Sequence, residues 1–248
     1  MNTELSFYVL ITATFFAAGM VKGVTGMGLP TVAMGILGTT MPASMAAAML
    51  VLPSFITNVW QLLAGPAMLK LLRRLWPLLA TICVGTVGGS LLLVHVNPLW
   101  SGFALGVALM VYAVYALVAP VFVVPVNTER WASPLVGLLT GIITGATGVF
   151  VMPAVPYISA LNLNKDELVQ ALGLSFTVST VALAVGLLVH GAFRLEQLGL
   201  STWAVFPALL GMWLGGHVRA RISPKRFKQF FLVFLVVLGV ELASQPFF

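Results

Sequence analysis

Long apolar runs, broken by short clusters of charge, make up most of this chain. Residues 23–69, 75–128 and 131–164 contain no Asp, Glu, Lys or Arg. A helix that crosses a membrane needs about 20 predominantly apolar residues, so each run can hold more than one such segment. The short in/out alternation of membrane β-strands is missing from these runs. The pattern therefore predicts an all-α, polytopic integral membrane protein.

The same pattern divides the chain into two halves of four elements each. In each half a long segment broken by glycine and proline comes first, and three apolar transmembrane helices follow. The broken segments, each a broken or re-entrant helix, are expected at about residues 6–39 and 131–161. The helices are expected at about residues 43–64, 75–95 and 99–119 in the first half, and 167–190, 197–217 and 227–243 in the second.

The two broken segments carry related sequences, which predicts an internal duplication. A constant offset of 122 residues relates the pairs Gly19 and Gly141, Gly23 and Gly145, Thr25 and Thr147, and Gly26 and Gly148. The same offset carries Thr57 and Asn58 onto Ser179 and Thr180, and farther along Gly88-Gly89 matches Gly215-Gly216. We therefore predict a first membrane repeat at residues 1–120, a linker at 121–130 and a second repeat at 131–248.

The distribution of charge predicts how the two halves are oriented. Hydrophobic residues make up 60% of the chain and charged residues 7%, with a formal net charge of +6. Basic residues collect in the cytoplasmic loops of membrane proteins, so the charge indicates topology and not nucleic-acid binding. A basic cluster at residues 70–74 follows the second element of its half, whereas one at residues 219–228 follows the third. If both are cytoplasmic, the repeats are inverted, each broken segment returns to its starting side, and both termini are outside. Arg194, offset by Glu196, fits the other side.

The broken segments also predict a binding site. Glycines such as Gly23, Gly26 and Gly28 can unwind a helix and bring bare backbone close to a ligand. Helices that restart near Leu29 and Val151 would present free N–H groups and a partial positive charge. Paired helix breaks in two repeats are the best sequence pointer to a transport site. We therefore expect a small anion to bind between the two breaks.

Polar side chains complete the predicted site. Lys22 adds a full positive charge to the first break, and threonine hydroxyls near both breaks could donate hydrogen bonds. The helices that follow the breaks carry a second polar line at residues 57–61 and 175–180. The full set of candidate substrate-binding residues is Lys22, Gly23, Thr25, Gly26, Gly28, Thr57, Asn58, Gln61, Thr144, Gly145, Thr147, Gly148, Ser175, Ser179 and Thr180.

Structural interpretations of the same residues are open at the sequence level. The glycines could serve tight helix packing, and the polar line at 57–61 could only bond neighbouring helices. Lys22 could extend to the membrane interface. The helices that end at each break point their negative C-terminal ends at the same place, so cation binding is also open. A coupling proton or sodium ion and a homo-oligomeric assembly are also open. Asp166, Glu167 and the three histidines are the proton-linked candidates.

The glycine signature resembles that of the sulfite exporter TauE/SafE family, also called TSUP carriers. The likeness lies in Gly19-x-x-x-Gly23-x-x-Gly26-x-Gly28 and its weaker copy Gly141-x-x-x-Gly145-x-x-Gly148, each followed by a proline and a small-residue helix. The likeness extends over the whole chain, both in its length and in its division into two related halves. The family usually has consecutive glycines after the break, whereas Leu29 follows Gly28 here and Phe150 replaces the last glycine of the second copy. The resemblance implies export of sulfite, a sulfonate or another organic acid across the bacterial inner membrane.

The function expected from these observations is a secondary transporter that works by alternating access without a cofactor. The sequence has no phosphate-binding Gly-x-x-x-x-Gly-Lys-Ser/Thr motif, so no ATP hydrolysis is expected. It also has no His-Glu-x-x-His or Gly-x-Ser-x-Gly motif, so no enzymatic activity is expected. A passive anion channel and a non-catalytic membrane subunit are the alternatives.

Overall fold

The computed structural model describes residues 2–118, 123–193, 195–219, 221 and 224–247. Within these ranges the secondary structure is helical throughout, and a short 3-10 turn at Gln245–Phe247 ends it. The helices are α1 (Asn2–Thr25), α2 (Leu29–Gly38), α3 (Ala43–Leu63), α4 (Met68–His95), α5 (Pro98–Val118), α6 (Val126–Thr147), α7 (Ala154–Ser159), α8 (Lys165–Val189), α9 (Leu195–Arg219) and α10 (Pro224–Ser244). Residues 119–122, Arg194 and the side chain of Glu196 lie outside the described residues.

The all-α, polytopic class predicted from the sequence is confirmed. Seven of the described helices are long and apolar enough to cross a membrane, namely α1, α3, α4, α5, α8, α9 and α10. The first broken segment consists of α1 and the ten-residue α2, and the second consists of α6 and the six-residue α7. The largest errors in the predicted starts are those of α4, which begins at Met68, and of α6, which begins at Val126; both were placed too late.

Large apolar side chains cover the outside of the bundle. Trp60, Trp76, Phe206, Trp213 and Phe230 are all more than 60% exposed. A soluble protein does not present so much contiguous apolar surface to water, whereas a bilayer accepts it. The lipid bilayer is therefore the environment that the outer surface fits.

The helices pack in a pattern that is unchanged when the two halves are exchanged. Helix α4 packs against α6 and α8, and α9 packs in the same way against α1 and α3. Helix α3 packs against its counterpart α8, and α5 against its counterpart α10. This exchange is what an internal duplication produces. The boundaries of the two repeats stay a prediction.

Glycines allow the closest of these crossings. A side chain at Gly23 would collide with the backbone of α9 at Met212, and one at Gly145 would collide with the backbone of α4 at Thr86. Small residues of this kind let membrane helices approach to backbone contact. The two crossings are equivalent if each residue of α4 is matched with the residue 126 positions later in α9. Gly89 then corresponds to Gly215. The predicted match of Gly88-Gly89 with Gly215-Gly216 was wrong by one residue.

Contacts between loops separate the two ends of the bundle. At one end, which we call the basic end, Lys70 of α4 pairs with Glu167 of α8 at 2.6 Å. At the opposite end, which we call the histidine end, the rings of His95 and His190 lie 5.8 Å apart. The loop before α4 therefore lies at the same end as the start of α8, and the loop after α4 lies beside the loop after α8. Equivalent loops thus occupy opposite ends, which is the arrangement that inverted repeats require.

Candidate functional site

The two breaks have the same local structure. The N–H of Gly26 donates to the carbonyl of Lys22 at 2.7 Å, and the N–H of Gly148 donates to the carbonyl of Thr144 at 2.7 Å. Both glycines adopt left-handed backbone angles, with φ of 78° and 72°. A side chain disfavours this conformation, which explains why glycine ends both helices.

Threonine hydroxyls brace each break from within. Thr25 Oγ1 donates to the Val21 carbonyl at 2.9 Å and accepts the Met27 N–H at 3.2 Å. Thr147 Oγ1 makes the equivalent bonds, to the Ile143 carbonyl at 2.6 Å and from the Val149 N–H at 3.3 Å. Thr144 Oγ1 lies 3.3 Å from the Val149 carbonyl. In this conformation each of the three hydroxyls donates to nearby backbone, and their donation to a ligand stays a prediction.

The chain resumes differently after the two breaks. Gly28, with φ of 100°, precedes α2, which begins at Leu29 as predicted with Pro30 in its first turn. In the second copy the helix begins at Ala154, three residues beyond the predicted Val151. With six residues, α7 is too short to carry the helix dipole assumed for it.

Gly23 and Gly145 have a packing role. The sequence predicted that Gly23 helps to unwind the helix, but Gly23 lies inside α1 and Gly145 inside α6. The close approach of α9 and α4 determines these positions, as described above. Gly26, Gly28 and Gly148 are the signature glycines with positive φ.

Lys22 is the centre of a buried polar network. Its side chain is 3% exposed, and its ammonium donates to Thr57 Oγ1 at 3.1 Å and to Asn58 Oδ1. Asn58 Nδ2 donates in turn to Thr180 Oγ1 at 3.1 Å. Lys22 therefore does not extend to the membrane interface. Among the residues that the structure describes, no carboxylate pairs with it.

The hydrogen bond between Asn58 and Thr180 locates this network in the fold. Asn58 and Thr180 are separated by 122 residues, which is the offset of the repeat, so the bond joins a residue to its own counterpart. Such a contact forms only where the axis relating the two halves passes. The network that begins at Lys22 is therefore at the centre of the molecule.

A cavity of about 520 Å³ opens from this centre toward the basic end. It is lined by the first break at Lys22–Met27, by the end of α3 and the following Ala64, by Ser159 at the end of α7, and by the ends of α8 and α9. Three cations face it, Lys22, Lys165 and Arg219, and no carboxylate is among the described residues that line it. An anion that enters this cavity therefore meets positive charge from the mouth to the floor.

Two unpaired hydroxyls continue the α8 wall of the cavity. Leu168 and Leu172 line the cavity, and Ser175 and Ser179 follow at helical spacing on the same face of α8. Both hydroxyls are fully buried and have no hydrogen-bond partner, as is also true of Gln61 Oε1 on α3. A buried polar atom without a partner is costly, so these groups are available to a ligand.

The second break does not reach this cavity. The predicted site included Thr144, Gly145, Thr147 and Gly148, but none of them lines it. A side chain at Gly148 would touch Met34 of α2, and the ring of Phe150 lies 6.2 Å from that of Phe176. In this conformation the cavity is formed at the first break, and a contribution of the second break to the site stays a prediction.

Lys165 and Arg219 are functional candidates that sequence reasoning missed. Arg219 was considered only as a topology signal and Lys165 was not singled out, because only the fold brings the ends of α8 and α9 to one cavity. Asp166 and Glu167 were expected at the start of α8, and Asn164 caps this helix by accepting the Glu167 N–H at 2.8 Å. The Glu167 carboxylate pairs with Lys70, so it belongs to the loop contact and not to the cavity.

Comparison with known proteins identifies a family. The family model described as sulfite exporter TauE/SafE matches residues 11–242, which is nearly the whole chain. No curated protein and no solved structure matches the chain.

Proposed function

The chain belongs to the sulfite exporter TauE/SafE family of membrane anion transporters, and we propose that it exports sulfite, a sulfonate or a related organic acid by alternating access. The observation that carries the proposal is the cavity with three cations, which ends at the buried Lys22 network. In this proposal the anion is held by the Lys22 ammonium and by the hydroxyls of Ser175 and Ser179. The substrate is thus bound between the two repeats, beside their common axis.

Orientation in the membrane follows from the distribution of charge. Lys70, Lys165 and Arg219 lie at the basic end, which we place in the cytoplasm of a bacterial cell. The start of α1 packs against the start of α9, where Tyr8 meets Trp203, and Phe247 meets Phe103 of α5. Both termini therefore lie at the histidine end, which we place outside. The cavity then opens to the cytoplasm, as an exporter waiting for substrate requires.

A carrier fits the structure better than the alternative of a passive channel. A channel needs a continuous path, whereas the cavity is open at the basic end and the second break is packed closed at the other. In proteoliposomes we expect sulfite flux to saturate and to show counterflow. Flux that rises linearly with concentration and shows no counterflow would favour the channel.

Ser179 provides a first test of the binding site. Replacing it by alanine removes a hydroxyl that would donate to the anion, and a hydrogen bond to a charged group contributes about 1.5 kcal/mol or more. We expect the half-saturating concentration of sulfite to rise about tenfold. Thermal stability should not fall, because the hydroxyl has no partner in the protein. Ser101→Ala, at a buried serine on α5, is the matched control. Equal kinetics for the two variants would exclude Ser179 from the site.

The two cations at the mouth provide a second test. The double variant Lys165→Gln/Arg219→Gln attracts an anion to the cavity less strongly. Its KM on the cytoplasmic side is expected to rise about threefold to tenfold at low ionic strength. The effect should shrink as salt is added, because exposed charges are screened. Right-side-out and inverted vesicles separate the two sides of the protein, and KM should change in one orientation alone. Arg73→Gln removes one positive charge from the same end but not from the cavity, and its KM should not change.

A further inference from the structure

The cavity has a set of counterparts in the other repeat. Applying the offset of 122, Lys22 corresponds to Thr144, Gln61 to Leu183 and Ala64 to Gly186. Applying the offset of 126 between α4 and α9, Met212 corresponds to Thr86 and Gly216 to Ser90. All of these counterparts are buried, although their equivalents line an open cavity.

Two contacts fill the space beside these counterparts, where the first repeat has an open cavity. A side chain at Gly26 would meet nothing within 4 Å, whereas one at the equivalent Gly148 would lie 2.9 Å from the Met34 side chain. In the same way a side chain at Gly216 would meet nothing within 4 Å. Its counterpart Ser90 packs directly on Gly186 and lies 3.2 Å from His190 Nδ1. The first break is thus open, and the second is sealed by Met34 and Ser90.

The sealed region contains a buried polar group that has no hydrogen-bond partner in the closed packing. Thr86 Oγ1 is fully buried and has no hydrogen-bond partner. An unpartnered hydroxyl in a packed interface is unfavourable. Water or a ligand would satisfy it if the interface opened.

We propose that Thr86, Ser90, Thr144 and Gly186 form the external half of the substrate path, closed in this conformation by Met34. The inference rests on the proposed transport function and adds the release side of the site. Opening exchanges the environments of the two breaks, so that the contacts now seen around Gly148 form around Gly26. Because the charged Lys22 corresponds to the neutral Thr144, this half binds anions more weakly than the cytoplasmic half.

Cysteine labelling from outside tests the proposal. The single cysteine, Cys83, is first replaced by serine. Ser90→Cys then reports on the external path, and Ser101→Cys is a buried serine-to-cysteine control on α5. A membrane-impermeant maleimide is applied to right-side-out vesicles in buffer without sulfite, since sulfite itself adds to maleimides. We expect Ser90→Cys to react at least tenfold faster than Ser101→Cys.

Met34 allows the conformation to be shifted. Met34→Ala removes the side chain that closes the second break. We expect labelling of Ser90→Cys in right-side-out vesicles to rise severalfold, and labelling of the cytoplasmic Ala64→Cys in inverted vesicles to fall. Met34→Leu preserves the volume and should leave both rates near those of the parent. If Ser90→Cys reacts no faster than the control in vesicles that transport sulfite, the external path is wrong although the transport function holds. Labelling as expected in vesicles without transport of sulfite or a sulfonate would contradict the function and not the path.

Discussion

Replacing Lys22 by methionine is expected to reduce sulfite transport about a hundredfold. Truncating one partner of a buried, hydrogen-bonded charge pair costs about 2 to 5 kcal/mol, and 3 kcal/mol corresponds to a factor of about 100. The ammonium is the cation at the floor of the cavity, and its partners in the structure are the neutral Thr57 and Asn58. Initial rates of sulfite uptake into proteoliposomes measure the loss.

Thermal stability separates this loss of function from misfolding. A buried charge with no carboxylate partner is unfavourable in the empty protein, so Lys22→Met should melt at the same temperature as the parent or higher. Lys70→Gln is the control for charge: its side chain is 65% exposed and lies outside the cavity. An exposed ion pair of this kind contributes about 0 to 1 kcal/mol, so little change in transport is expected. Normal transport by Lys22→Met would remove Lys22 from the substrate site.

Gly89→Val is expected to lower the free energy of unfolding by about 3 kcal/mol, the upper end of the range for overpacking a close contact. A side chain at Gly89 would lie 2.6 Å from the Ile142 carbonyl of α6, and a rigid backbone cannot move away from it. Gly88 is the matched control, because a side chain there would meet nothing within 4 Å. The midpoint of thermal unfolding in detergent measures both variants.

The equivalent crossing in the other repeat allows an independent version of this experiment. Gly215 on α9 occupies the position of Gly89, and its side chain would collide with the Met20 carbonyl of α1. Neighbouring Gly216 has open space, like Gly88. Gly215→Val should therefore lose stability and Gly216→Val should not. Equal losses for neighbouring glycines would mean that helix propensity, and not the crossing, determines the cost.

Repeated local structure is what the sequence predicted best. The two breaks form at the predicted glycines because Gly26 and Gly148 end their helices through local backbone geometry, which neighbouring residues determine. The polar line from Thr57 to Gln61 was also predicted, since helical spacing alone places its residues on adjacent faces. The offset of 122 matches Asn58 with Thr180, and the structure brings these two residues into contact.

Features that depend on the packing of distant helices could not be read from the sequence. Gly23 looks like Gly26 in the motif, but the approach of α9 gives it a packing role. Arg219 lines the cavity because the packing of α9 against α1 and α3 brings the end of α9 there. The closure of the second break by Met34 depends on the position of α2, which no local pattern specifies. Inverted orientation in the membrane stays a prediction until the sidedness of the loops is measured.

The hydrogen bond between Asn58 and Thr180 implies a limit on how many lysines the site can hold. A lysine at position 144, the counterpart of Lys22, would bring a second ammonium to the other side of the same axis, close to Thr180. Two like charges held at such short range in a medium of low polarity repel strongly. One lysine beside the axis can instead serve a path that opens alternately on either side. The unequal repeats, with Lys22 in one and Thr144 in the other, avoid this repulsion and leave one charge beside the axis.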